Sequence, residues 1–405
     1  MAAVSPARRA AYEVLLRVFE QEAYADRAFR SAAEGLEPRE RAFAQRLAYG
    51  SVQRVRTLDH AIETLGRRPV RKLDPPVRAA LRLGAYQLGY TDTAPHAAAN
   101  ESVELVRRAR LERAVPFTNA VMRRLADGIG PLLAALPDGP LKESYPDWIH
   151  ETFVGVVGEE GALALMRTMN EPLETVVRLV SGEPPPDAQE TDVPGAYRVE
   201  RVGEMLVAAG RIWPQSRGSQ LAGLCVGSQE GERVLDLCAA PGGKAGQLRG
   251  DVTSVEIDPH RASELRANLA TMGRSDVTVV EADGTALPPE LDGFDRALVD
   301  APCSGLGVLA QRPDLRWRAT PLPELQLALL RSAAERVRPG GTIVYSVCTL
   351  EPDECEAVVE ASGLRVLPLG EEWPQFAHPK RPEFLLTLPH VHGTSGFFVA
   401  KLVRD

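Results

Sequence analysis

The apolar positions change period along the chain. From residue 5 to about residue 126 they recur at helical spacing, as in Tyr12, Leu15, Leu16 and Phe19, then Phe43, Leu47 and Val52, then Val77, Leu81 and Tyr86. Breaks at Gly35–Pro38, Gly66–Pro69, Asp74–Pro76 and Asp92–Pro95 read as helix boundaries, which predicts a bundle of about five to seven helices. Gly128, Gly130, Pro131, Pro137, Gly139 and Pro140 mark residues 127–145 as a loose linker. Next come a helical pattern at 148–169, a strand at 175–180, a proline-rich loop, and short strands at 197–202 and 205–208. From residue 233 strand-like runs at 233–238, 252–258, 277–283, 294–300 and 342–348 alternate with helices near 244–248, 260–272, 322–337 and 352–361, and a last strand covers 396–403. That alternation predicts a parallel sheet with helices on both faces. The expected fold is therefore multidomain: an all-α bundle over residues 1–130, a linker and small α/β module over 131–230, and a doubly wound, Rossmann-like α/β domain over 231–405.

Charge divides the chain at the same place. Residues 1–130 hold 22 Lys and Arg against 15 Asp and Glu, and the remainder 25 against 40. The basic first part suits a polyanion, although a solvated arginine-rich helical surface has the same composition. No apolar run of about 18 residues predicts a membrane span, and the N-terminal segment has no cleavable leader pattern, so a cytoplasmic location is expected. The five cysteines include no CxxC pair, which argues against a disulfide framework and against a metal site.

The chemistry centres on VLDLCAAPGGKAG at 234–246, a buried strand running into a glycine turn where a ligand is expected. The adjacent Gly242 and Gly243 and the following Lys244 depart from GxGxxG and weaken a nicotinamide reading. Lys244 is one of only five lysines beside 42 arginines, which points to a wanted amine, with an exposed loop lysine as the alternative. Glu256, Asp283 and Asp300 fall at the carboxyl ends of the next three strands and are expected to face one crevice; Glu256 there suits a ribose diol. Cys303 and Cys348 follow two strand ends, placing two thiols at the same crevice.

In order and spacing, ARRAAYEVLLRV, ERAFAQRLAYGSVQR, VRAALRLGAYQLGY, HAAANESVELVR and FTNAVMRRL resemble the NusB-like RNA-binding domain. LDLCAAPGGK, VEIDPHR, EADGT, DAPCSGLGVLAQRPDLRW and GGTIVYSVCTLEPDECE resemble the RNA cytosine-C5 methyltransferases, and the whole is similar to the RsmB (Fmu) type of the RsmB/NOP family. The resemblance implies a class I S-adenosylmethionine-dependent enzyme acting on small-subunit (16S) ribosomal RNA. It implies Cys348 as the nucleophile on cytosine C6, Asp300 on the base, Cys303 in release of the adduct, and Lys244 supporting the thiolate. Cys238, Ala239, Ala240, Pro241, Gly242, Gly243, Lys244, Glu256, Asp283 and Asp300 would hold the cofactor. One departure is Val347-Cys348-Thr349, where the family often has Thr-Cys-Ser; it leaves open how the hydroxyl beside the nucleophile is bonded. Swapped cysteine roles, transfer or large-subunit RNA as substrate, and a non-catalytic RNA-binding factor stay open. A monomer without metal is expected.

Overall fold

The computed structural model describes residues 4–405 and divides into two compact units. The first runs to Glu151 and takes in Ala162–Asn170 and Leu309–Arg318; the second holds Thr152–Gly161, Glu171–Val308 and Ala319–Asp405.

The first unit is helical, with Pro6–Glu20, Ala25–Ala32, Pro38–Gln53, Val55–Gly66, Pro75–Tyr90, Pro95–Arg108 and Val115–Ala135. Five of these carry proline in the first turn, where a missing N–H costs nothing. The expected linker is corrected at its start. Val115–Ala135 stays helical through Gly128, Gly130 and Pro131, because Leu125 and Ile129 are buried in the bundle core and Leu132 and Leu133 pack against it. Tertiary packing outweighs local propensity there. The helical run Asp147–Thr168 is broken at Gly158, whose φ of 77° and ψ of 171° lie outside the helical region.

The compact helical unit continues past residue 130 to Glu151, and the segment Leu309–Arg318, expected in the α/β domain, belongs to it. Its Arg316 is 1% exposed. The Arg316 guanidinium donates to Asn170 Oδ1 at 2.7 Å and to the carbonyls of Met169 at 3.0 Å, Gln53 at 3.3 Å and Ser144 at 3.4 Å, and lies 3.8 Å from the Tyr145 ring centroid. Beside it Trp317 Nε1 donates to Val52 O at 2.7 Å.

In the second unit a small antiparallel sheet is formed by β1 (Val176–Leu179), β2 (Gln189–Glu190), β3 (Ala196–Arg198) and β4 (Ile212–Pro214), in the order β2-β3-β1-β4. The strand expected at 205–208 is instead a short helix, Glu204–Ala208, since four apolar residues in a row carry no period. The strand expected at 197–202 ends at Arg198.

The main sheet comprises β5 (Arg233–Leu237), β6 (Asp251–Glu256), β7 (Thr278–Glu281), β8 (Phe294–Asp300), β9 (Val337–Val347), β10 (Arg365–Leu367), β11 (Leu385–Thr387) and β12 (Phe397–Val403). Strands β7-β6-β5-β8-β9 are parallel, as expected, while β12 pairs antiparallel with β9, and β10 and β11 with β12. The helix expected at 244–248 is only a single 3-10 turn, Ala245–Gln247. Arg178 and Arg274, not helical amides, take the Gly246 and Leu248 carbonyls.

Candidate active site

After β5 the chain turns through Cys238 at φ 60°, a cis Ala240–Pro241 bond and Gly242 at φ 105°. The φ at Gly242 is one that favours glycine, and a Cβ there would in addition stand 2.8 Å from Leu265 Cδ1. Ala239 and Ala240 are buried, and side chains from behind grip the turn. Arg261 donates to Ala240 O at 2.8 Å, Asn268 to Pro241 O at 2.8 Å and Arg178 to Gly243 O at 3.4 Å. Arg178 comes from β1, which gives the small module a buttressing position under the turn. Burial lowers its guanidinium to about 10, leaving it charged at neutral pH.

Glu256 closes β6 and is 2% exposed. Its Oε1 accepts from Asp258 N at 3.2 Å, whereas Oε2 has no hydrogen-bond partner and sees Arg261 Nη1 at 3.6 Å. The next residue, Ile257, is 65% exposed. A buried carboxylate oxygen awaiting a donor, beside an open apolar side chain, fits the diol and flat ring of a nucleoside. Asp283 does not close its strand; it lies beyond the end of β7 and is exposed. Its carboxylate accepts from Thr285 N at 2.8 Å and Thr285 Oγ1 at 2.7 Å, which holds it below the usual aspartate range.

The two central strands bring the thiols together. β8 and β9 pair in register with Asp300 opposite Ser346, and Cys303 Sγ and Cys348 Sγ come within 3.4 Å. Gly307 N donates to Cys348 O at 3.0 Å, and Gly396 N to Gly307 O at 2.8 Å. Lys244 Nζ sits 2.7 Å from Asp300 Oδ2 and 4.9 Å from the Phe397 ring centroid, while Ser346 Oγ donates to Asp300 Oδ1 at 2.7 Å. The sulfur contact splits the pair's acidity. A hydrogen bond from Cys303 lowers the Cys348 thiol, with Lys244 helping against burial and Asp300. The same contact, with burial and Glu354, raises Cys303. Burial pushes Cys225 and Cys238 up to about 12 and raises Cys355 too. The hydroxyl left open by Val347-Cys348-Thr349 is Thr349 Oγ1, bonded to Ser304 Oγ at 2.7 Å.

Sequence reasoning passed over Asp236, Ile257 and Glu354, although all three stand inside motifs it quoted. Asp236, in the middle of an apolar strand, carried the clearest signal, a polar residue at a core position.

Residues 224–403 match the family described as 16S rRNA methyltransferase RsmB/F, and residues 5–127 the NusB family. A probable ribosomal RNA small subunit methyltransferase B from Synechocystis sp. is 34% identical over 98% of this chain and 99% of its own length. The chain belongs to the RsmB/F family of 16S rRNA methyltransferases. The ribosomal RNA small subunit methyltransferase B of Thermus thermophilus is 35% identical over 90% of this chain and 89% of its own. The crystal structure of PH0851 shares the fold, with TM-score 0.82 and 22% identity over 99% of both chains. Among the described residues no helix is long and apolar enough to cross a membrane.

Proposed function

We propose that this RsmB/F member transfers a methyl group from S-adenosylmethionine to C5 of a cytosine in small-subunit ribosomal RNA through a covalent Cys348 adduct. The observation that carries this reading is the pair of touching sulfurs, 3.4 Å apart, set beside the Lys244–Asp300 ion pair. C5 of cytosine is a weak nucleophile. The Cys348 thiolate adds to C6, forming a C6–S bond, and the C5=C6 electrons move to C5, which gains the methyl group. Asp300, held by Lys244 and Ser346, meets the exocyclic amine and N3 in this reading, where charge changes as sulfur adds. A water molecule takes the C5 proton, the C5–H electrons re-form the C5=C6 bond, and the C6–S bond breaks with its electrons on Cys348, which departs as thiolate. Cys303, against that sulfur, assists this release. The cofactor supplies the electrophilic methyl group; the turn Cys238–Lys244 with Glu256, Asp283 and Asp300 holds it. The basic bundle grips RNA phosphates, and the target base is unstacked to reach the crevice.

The test is methyl transfer from labelled S-adenosylmethionine to unmodified 16S rRNA. A single 5-methylcytosine that disappears in Cys348→Ala, with an RNA adduct trapped in Cys303→Ala, is expected. Adduct trapped in Cys348→Ala instead would reverse the two cysteine roles, and label in transfer RNA alone would overturn the substrate.

A further inference from the structure

Glu354 ends the turn Pro352–Glu354 after β9 and is fully buried. Burying a carboxylate costs several kcal/mol unless its oxygens are matched by donors. Here the partners are neutral and converge on one loop. Glu354 accepts from Ser304 N at 3.0 and 3.1 Å, from the Ser304 hydroxyl, from Leu322 N at 3.0 Å and from Gln326 Nε2 at 2.8 Å. Gln326 Nε2 also donates to Pro302 O at 2.8 Å. Cys303 is thus bracketed, with the carbonyl before it and the amide after it both fixed by this pair. The Ser304 hydroxyl has one proton, given to Glu354, so Thr349 Oγ1 donates across the 2.7 Å to Ser304 Oγ. The residues that follow the two cysteines are thereby tied to each other and to one carboxylate. Tyr345 Oη, donating to Glu354 O at 2.6 Å, fixes the turn from β9.

We propose that Glu354 is a positioning residue for Cys303: by gripping Ser304, and the Pro302 carbonyl through Gln326, it keeps the Cys303 sulfur against Cys348 and sets the rate of adduct release. The release part rests on the function proposed above; the sulfur contact does not. An apolar residue of similar size would satisfy packing alone, whereas only an acceptor can hold the Ser304 amide and hydroxyl together.

Two full-length variants test this. Glu354→Gln keeps the shape but turns one acceptor into a donor facing donors, and Ser304→Ala removes only the hydroxyl link. Without RNA, an azodicarboxamide oxidant would join the two thiols: each loses its proton, the S–S bond forms, and the N=N group is reduced to the hydrazine. Peptide mapping of the 303–348 cross-link should show a rate about tenfold slower in Glu354→Gln, with Ser304→Ala between it and the parent. With RNA and labelled cofactor, both variants should accumulate adduct, with kcat down by up to about tenfold and KM falling with it, so that kcat/KM changes little. Unchanged cross-linking and unchanged adduct in variants that melt at the parent temperature would overturn the proposal. Should Glu354→Gln fail to fold, Ser304→Ala decides it alone. If no adduct forms even in Cys303→Ala, the proposed function fails, while the cross-linking rates still judge the positioning.

Discussion

Two buried ionisable groups, Arg316 in the helical unit and Asp236 in β5, meet the same desolvation and end in opposite states. Burial lowers Arg316 from 12.5 to about 10, so it remains charged at neutral pH, with four acceptors around it. Burial, with Asp300 nearby, raises Asp236 from 3.8 to about 8, so it keeps its proton. One Asp236 oxygen meets Ser254 Oγ at 3.4 Å and the other has no partner. The difference lies in supply: the helical unit surrounds its cation with fixed carbonyls, while the floor of the crevice leaves its acid short of donors. A group so supplied fixes the chain; a group left short is free to respond to charge placed near it.

The largest effect should come from removing the supplied charge. Arg316→Met leaves Asn170 Oδ1 without its donor and the Met169 carbonyl with Gln53 Nε2 alone, and should destabilise the helical unit by about 3–5 kcal/mol. A calorimetric scan of the full chain would read this, and a melting temperature within a degree of the parent would break the comparison. Next, Lys244→Met takes the cation from Asp300 and Cys348. Turnover should fall about a hundredfold, and the pH midpoint for alkylating Cys348 should rise, because a neighbouring positive charge favours the thiolate. A midpoint that stays or falls would remove Lys244 from the thiolate's support. The third effect concerns Asp236. Between pH 3.8 and about 8 the folded chain holds a proton that the unfolded chain has lost. Its stabilising contribution is therefore complete below that window and declines as pH rises through it, by about 1.4 kcal/mol per pH unit at most. Asp236→Asn should flatten that slope, which denaturant midpoints at pH 5 and 7.5 would show; an unaltered slope would mean that Asp236 is ionised.

The order of elements and the strand ends that carry Glu256, Asp300, Cys303 and Cys348 were legible because apolar period and glycine turns are local signals. What was not legible depended on distant partners. The helix Val115–Ala135 ignores its own glycines and proline because Ile129 is buried in the bundle core. Glu354 looked like one acid among several in LEPDECE; that it collects donors from Ser304, Leu322 and Gln326 is a fact of tertiary packing. Met205–Ala208 lay in an apolar run too short to reveal its period.

The membership of Leu309–Arg318 in the helical unit carries a consequence in time. Synthesis runs from the N-terminus, so nearly all of that bundle has left the ribosome long before Arg316 and Trp317 exist. Until then the carbonyls of Val52 and Met169 and the face of Tyr145 lack the residues that cover them. The helical unit is thus completed by a piece made after Cys303, and a nascent chain truncated before residue 309 would expose an unfinished bundle to proteases and chaperones.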